Sequence, residues 1–286
     1  MEKVSSCLIC GGTNLKKYNT RLSDFVSLRT KNVPPPATKL CYCRDCSFGF
    51  YEDRLTDEEN DLLYAGYRDA TYQEIREKFE PWYTKQVNDG LNNDSTGLSE
   101  QKRVIESIIR KNINRELKVA LDYGGNEGRT FTDLIGTQEK YVFDISGIRT
   151  IEGVKGIASF EELKDHQYDF IMCNHLFEHL SYPLDILKRL DAIGGKDTYF
   201  YIEVPSESPF KTRWLMLKHR LKKIYRRLRG KPFNFYPMHE HVNYFTGKAM
   251  RTMLERNGFK VLDIQENLEH NVLGMPLVLS VLFVKQ

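Results

Sequence analysis

Residues Val119 to Gly128 read VALDYGGNEG, and Asp144 follows Asp122 by twenty-two positions. The apolar start fits a buried strand, the paired glycines a turn, and the residues after Gly128 the start of a helix. Glycine lets the backbone turn sharply and approach a ligand where a side chain would block it. An acid closing the next strand can accept both hydrogen bonds of a ribose diol. The stretch therefore predicts a nucleoside-containing cofactor at the carboxyl end of a parallel sheet.

Dinucleotide-binding loops bring backbone N–H groups onto a pyrophosphate through G-x-G-x-x-G. Here the order is Asp122-x-Gly124-Gly125-x-x-Gly128, with an acid before the first glycine. A carboxylate there repels phosphate and suits a cationic amino-acid ligand. This order resembles the first motif of the class I S-adenosylmethionine (SAM) methyltransferases. The resemblance implies that the loop cradles the methionine part and that Asp144 holds the ribose. Asn126 stands where that family often has glycine, and Asn tolerates left-handed backbone better than most residues. A glycine turn without a ligand is the alternative reading.

With 286 residues, 41% of them hydrophobic, the chain can form one large or two small domains with a proper core. No run approaches the roughly 20 apolar residues of a membrane span. Met275–Val284 comes nearest and is too short. Residues 1–30 lack a signal-peptide core, so a cytoplasmic location is expected. The net charge of +3 hides an asymmetry: ten Lys/Arg and no Asp/Glu fall in Lys211–Lys231, leaving −7 elsewhere.

Five of the six cysteines lie in residues 1–46, and the sixth is Cys173. Cys7-Leu-Ile-Cys10 and Cys43-Arg-Asp-Cys46 form two C-x-x-C knuckles. Each places two thiolates on one turn, and two such turns complete a closed tetrahedral zinc site with a structural role. No histidine precedes His166, so a local site is all-cysteine. Cys41 competes for a ligand position but fits the knuckle less well than Cys43. Unmetallated thiols or a redox pair are the alternatives.

Between the knuckles, Pro34–Pro36 ends any regular element. Val26–Leu28 and Leu40–Tyr42 read as short strands, continued by Phe48–Tyr51. Thr56-Asp57-Glu58-Glu59 reads as a capped helix start. Tyr64, Tyr67, Tyr72, Trp82 and Tyr83 follow, as core or as the lining of a pocket. Asn88–Ser99 reads as a polar loop. Val104, Ile105, Ile108 and Ile109 mark one face of an amphipathic helix. From residue 117 strands and helices alternate, predicting a parallel sheet. The expected strands are Lys118–Asp122, Tyr141–Asp144, a short one near Val154, Tyr168–Cys173, Tyr199–Val204, Lys260–Ile264 and Leu277–Lys285. Helices are expected at Arg129–Leu134, from Phe160, and at Lys248–Asn257.

Residues 168–180, YDFIMCNHLFEHL, look like the fourth methyltransferase motif. His239-Glu240-His241-Val242-Asn243-Tyr244-Phe245-Thr246 looks like the E-H stretch of one branch of that family. That branch contains bacterial sugar-modifying methyltransferases with an N-terminal cysteine zinc domain, and the motifs here stand in its order. The resemblance implies a Rossmann-like α/β sheet of seven strands, the last antiparallel, with a small zinc-ribbon-like domain before it. The implied divisions are a zinc ribbon at 1–55, a helical Tyr-rich region at 56–115 and a methyltransferase domain at 116–286. A basic helical insert at 208–235 interrupts the last.

The resemblance also implies roles. Asp122, Gly124, Gly125 and Gly128 shape the methionine side. Asp144 takes the ribose, Ile145 packs on the adenine and Ser159 lies near its edge. Asn174 and His175 lie under the sulfonium. His241 is the expected base with Glu240 orienting it, and His179 and His239 are alternatives. The sugar C-methyltransferases carry a further C-terminal domain, whereas this chain ends at Gln286, so O-methylation of a sugar hydroxyl in surface-polysaccharide biosynthesis is expected. The insert, with Trp214, Leu217, Leu221 and Leu228 at helical spacing, is a basic amphipathic helix. It suits an anionic membrane surface or the pyrophosphate of a sugar carrier. Clustering of the basic residues in this one insert argues against a nucleic-acid substrate. Carbon methylation of a keto-sugar and a non-catalytic SAM-binding protein are the remaining readings.

Overall fold

The computed structural model describes residues 1–81, 83–92, 95–145, 149–206, 221, 225, 241–268 and 277–286. Trp82, His239, Glu240 and nearly all of the basic insert lie outside the described residues.

The N-terminal part is built from short strands that the knuckles force to turn. These are β1 (Glu2–Lys3), β2 (Leu15–Arg21), β3 (Ala37–Cys43), β4 (Gly49–Tyr51) and β5 (Asp53–Arg54). β2, β3 and β4 form an antiparallel sheet, and β1 pairs with β5. Val26–Leu28 is not a strand. It lies in the helix Asp24–Arg29, where the Ser23 hydroxyl accepts from Val26 N at 3.0 Å. The cap outweighs the preference of Val26 for extended backbone. At Thr56 the expected helix start is a full capping box leading into Asp57–Tyr64.

Within the expected loop at 88–99, residues 88–92 and 95–99 are helical. They belong to the helices Lys85–Asn92 and Ser95–Asn112. Polar composition misled because Asn88 is buried: it accepts from Tyr83 at 2.8 Å and donates to the Arg68 carbonyl at 3.0 Å. Tyr72 and Tyr83 are core residues, whereas Tyr64 is only partly covered. Ile105, Ile108 and Ile109 turn inward onto the sheet, as their spacing predicts.

That sheet comprises β6 (Leu117–Tyr123), β7 (Ile135–Phe143), β8 (Lys155–Ile157), β9 (Phe170–Asn174), β10 (Tyr199–Pro205), β12 (Phe259–Leu268) and β13 (Leu277–Lys285), while β11 (Asn243–Tyr244) lies elsewhere. Among the described residues the order is β12-β13-β10-β9-β6-β7-β8. The pairings from β8 to β10 are parallel, and β13 runs antiparallel to both β10 and β12. This is the expected Rossmann-like seven-stranded arrangement. The helix expected at Arg129–Leu134 is absent. Gly128 takes φ +81°, turns follow it, and β7 begins at Ile135, six residues ahead of the expected start. Phe131 and Ile135 instead enter the core directly.

β11 joins the N-terminal sheet rather than the central one. Asn243 pairs with Phe50 and Tyr244 with Gly49. Phe48 stacks on Phe50 and also meets Phe245, whose ring is 6.4 Å from Phe177. All four rings are fully buried. Burying each contributes roughly 1.5–3 kcal/mol, so the ribbon and the sheet share one core. The helix Gly247–Arg256 adds a polar tie, because Arg256 donates to the Cys10 carbonyl at 2.5 Å. Among the described residues no helix is long and apolar enough to cross a membrane.

Candidate functional site

The glycine loop leaves the carboxyl end of β6. Asp122, the last buried polar residue of that strand, is wholly enclosed. Thr130 donates to its Oδ2, and Asn174 Nδ2 lies 3.5 Å from Oδ1. Burial pushes its carboxyl up to about 7, partly offset by those donors. A Cβ on Gly125 would lie 2.2 Å from Asp122 Cγ, so the loop folds over the carboxylate only with glycine there. Asn126 adopts φ +52°, the left-handed backbone that Asn tolerates. Its N–H donates to Asp144 Oδ2 at 2.8 Å, joining the loop to the end of β7. Ile145 follows with 76% of its surface exposed, an apolar side chain beside the loop.

The structure thus brings together Asp122, Gly124, Gly125, Asp144 and Asn174. Among the described residues, Asn174 Oδ1 is buried with no hydrogen-bond partner. A buried amide oxygen without a donor is costly, and a bound ligand with an N–H or ammonium group would relieve it. Ser159 stands at the start of the helix after β8. Its hydroxyl accepts from Glu162 N at 3.3 Å and caps the helix Phe160–Leu163.

Beyond Asn174 the chain turns through His175, at φ +51°. Left-handed backbone at a non-glycine residue costs energy and persists only where the surroundings enforce it. His175 Nδ1 is 3.4 Å from Glu178 Oε1, and its Nε2 is 3.5 Å from Glu203 Oε1. Burial opposes its charge, but the two carboxylates hold its pKa well above the usual histidine value. Glu203 is buried too, receiving Gln101 at 2.5 Å and Tyr201 at 2.6 Å.

Glu178 is the centre of the second half of the site and is 1% exposed. Its Oε1 faces His175, His179 Nε2 at 3.9 Å and His241 Nε2 at 4.0 Å. Burial would raise its pKa, yet the histidines hold it at about 2. The His179 and His241 rings meet at 4.9 Å, and Tyr64 OH lies 3.0 Å from His179 Nδ1. His175, His179 and His241 were each legible as candidates. Glu178 as their common partner was not, nor were Tyr64 and Glu203. The E-H pair at 178–179 was the available signal, and only the fold shows which of its two residues is central. The acid found beside His241 is Glu178, and Glu240 lies outside the described residues.

The four knuckle cysteines also converge. Cys7 Sγ is 3.5 Å from Cys46 Sγ, and Cys10 Sγ is 3.5 Å from Cys43 Sγ. All four sulfurs lie within 4.8 Å of one another. A tetrahedral ion with bonds of about 2.3 Å needs sulfurs close to 3.8 Å apart, so the set fits zinc. Cys41 stands apart, a buried thiol pushed up to about 11 by desolvation.

The methyltransferase domain family matches residues 98–264. No curated protein matches the chain significantly by sequence. Among solved structures, a 1,6-didemethyltoxoflavin N1-methyltransferase from Burkholderia thailandensis, with S-adenosylhomocysteine bound, is 17% identical at a TM-score of 0.47, covering 74% of this chain and 87% of its own. A SAM-dependent methyltransferase from Anabaena variabilis is 15% identical at 0.47, covering 70% and 92%. Magnesium protoporphyrin IX methyltransferase from Synechocystis, also with S-adenosylhomocysteine, is 13% identical at 0.44, covering 71% and 86%. Likenesses this distant carry no argument about the acceptor.

Proposed function

The chain belongs to the methyltransferase domain family and is a SAM-dependent methyltransferase; from that premise we propose that it O-methylates a sugar hydroxyl on a nucleotide-linked, lipid-linked or polymeric glycan of surface-polysaccharide biosynthesis. The observation carrying this reading is the convergence of three histidines on buried Glu178, next to the glycine loop. An acceptor hydroxyl must lose a proton as it is methylated, and an imidazole–carboxylate cluster serves that need near neutral pH. The order of the knuckles, the glycine loop and the E-H stretch supports a sugar acceptor.

In this reading Gly124, Gly125 and Gly128 shape the cofactor loop around Asp122. Asp144 receives the ribose diol and Ile145 covers the adenine. Asn174 and His175 lie under the sulfonium. SAM supplies a methyl group on a sulfonium, a good leaving group that needs no activation by the protein. The remaining work is to align the acceptor, exclude water and handle one proton. Loss of that proton is assisted by the cluster holding His179 and His241. The four cysteines hold a structural Zn²⁺ that keeps the ribbon folded.

The test is to titrate the protein with SAM by calorimetry, then incubate it with SAM and a panel of activated sugars. An O-methyl sugar detected by mass spectrometry and NMR is expected. A new carbon–methyl bond, or SAM binding without transfer to any sugar, would overturn the acceptor assignment.

A further inference from the structure

Glu178 is incompletely satisfied, although three imidazoles surround it. It is fully enclosed, and neither carboxylate oxygen accepts a hydrogen bond from the described residues. His175 Nδ1, 3.4 Å from Oε1, offsets part of the charge, but a buried carboxylate without a well-formed hydrogen bond on either oxygen remains costly. Yet two imidazole Nε2 atoms aim at Oε1 from 3.9 and 4.0 Å. Those gaps are too long for hydrogen bonds. They suit donors arranged around a shared cation, whose bonds to nitrogen and oxygen run about 2.0–2.2 Å.

We propose that Glu178, His179 and His241 hold a divalent transition-metal cation whose remaining positions take hydroxyl oxygens of the acceptor. One donor atom from each of the three lies within 4.8 Å of the others. Two imidazoles and one carboxylate suit zinc, manganese, iron(II) or cobalt, and leave positions open. Neither calcium nor magnesium favours that donor set. The outer contacts also fit. Tyr64 OH engages His179 Nδ1 at 3.0 Å, which directs Nε2 toward the carboxylate. Buried Arg54 donates to Leu180 O at 2.9 Å and to Val242 O at 2.9 Å, beside His179 and His241 respectively. The two ligand-bearing segments are therefore fixed before any ion arrives. His175 stays outside the set, its second nitrogen directed at Glu203.

The acceptor half of this inference rests on the proposed O-methylation. A hydroxyl bound to the cation becomes more acidic and loses its proton to water. Its oxygen then bonds the methyl carbon while the carbon–sulfur bond breaks, the electron pair staying on sulfur. As a ligand, His241 shapes the cation rather than taking the proton itself.

The experiment is to strip the full-length protein of metal, reload it with Co²⁺ and count bound cobalt. Two equivalents per chain are expected, one with the intense thiolate charge-transfer bands of the cysteine site and one without. Glu178→Gln should lose the second equivalent while keeping the thiolate bands and SAM binding. Tyr64→Phe, which leaves the ligands in place, should weaken the second cobalt by about 10–100-fold. A single equivalent in the unaltered protein, or two undiminished equivalents in both variants, would overturn the site. Methyl transfer to a sugar by protein that binds one cobalt only would sink the cation and leave O-methylation standing. Two equivalents without transfer to any hydroxyl would keep the cation and remove its acceptor role.

Discussion

Arg54 Nη2 donates to Asn243 Oδ1 at 2.7 Å, bridging 189 residues of chain. Arg54 also donates to the carbonyls of Tyr51, Leu180, Ser181 and Val242 and is 1% exposed. Asn243 completes the junction by donating to Phe177 O at 2.8 Å and Leu180 O at 2.6 Å. A residue of the ribbon thus fixes both segments that carry the Glu178 cluster. Arg54→Met would leave four carbonyls and one amide oxygen short of a donor. It should cost about 3 kcal/mol or more by denaturant unfolding. Arg54→Lys should recover only part, since an ammonium cannot span the same acceptors. Full stability in Arg54→Met would mean the junction is dispensable.

Asp122 gives the stability curve a slope of unusual sign. Its folded pKa is raised to about 7 from 3.8, so the native state holds a proton that the unfolded chain has released. In the absence of SAM, stability should fall as pH rises from about 4 to 7 and level off above that. Below the unfolded value the group has no effect. The displacement corresponds to on the order of 4 kcal/mol. Asp122→Asn removes the titration, so its melting temperature should depend less on pH over that window. Parallel curves for the two proteins would refute the assignment.

Gly125→Ala places a methyl group against the Asp122 carboxylate, 2.2 Å from Cγ. The loop must then move away from Thr130 and Asn174. SAM affinity should drop at least about tenfold, with some loss of stability. Unchanged affinity by calorimetry would place SAM away from this loop.

Asp144→Ala removes the acceptor of the Asn126 N–H and the proposed ribose contact. SAM binding should weaken strongly while the melting temperature of the free protein changes by only a few degrees. Binding as tight as that of the unaltered protein would refute the ribose role.

Cys43→Ser should lower bound zinc by one equivalent and destabilise residues 1–55. Turnover should fall with it, because β4 carries β11 and thereby His241. A stable, zinc-free protein with normal turnover would show that the ribbon needs no metal.

Legibility followed local physics. Thr56 with Glu59, the two cysteine knuckles and the apolar runs of β6, β9 and β10 could be read directly, because each is determined by residues within a few positions. The same holds for Asn126, whose left-handed backbone is a property of the residue type. Elements that depend on distant partners were harder. β7 begins with Ile135, but its middle, Gly136–Lys140, is mostly polar. It is a strand because β6 pairs with it and carries it beyond the apolar residues at its end.

The sequence alone determined the chemistry on offer: a glycine loop with its acid, an acid closing the next strand, four thiolates in two tight turns, and histidines near the end of the fourth strand. Spacing along the chain suffices for these, since each is a local turn or a strand end. Only the tertiary structure decided where the histidines point. His179 and His241 are 62 positions apart, and they meet over Glu178 because β11 leaves the central sheet to pair with β4 while Arg54 grips both segments. Pairing of that kind depends on burial and hydrogen bonds shared across the whole molecule, which no local pattern encodes.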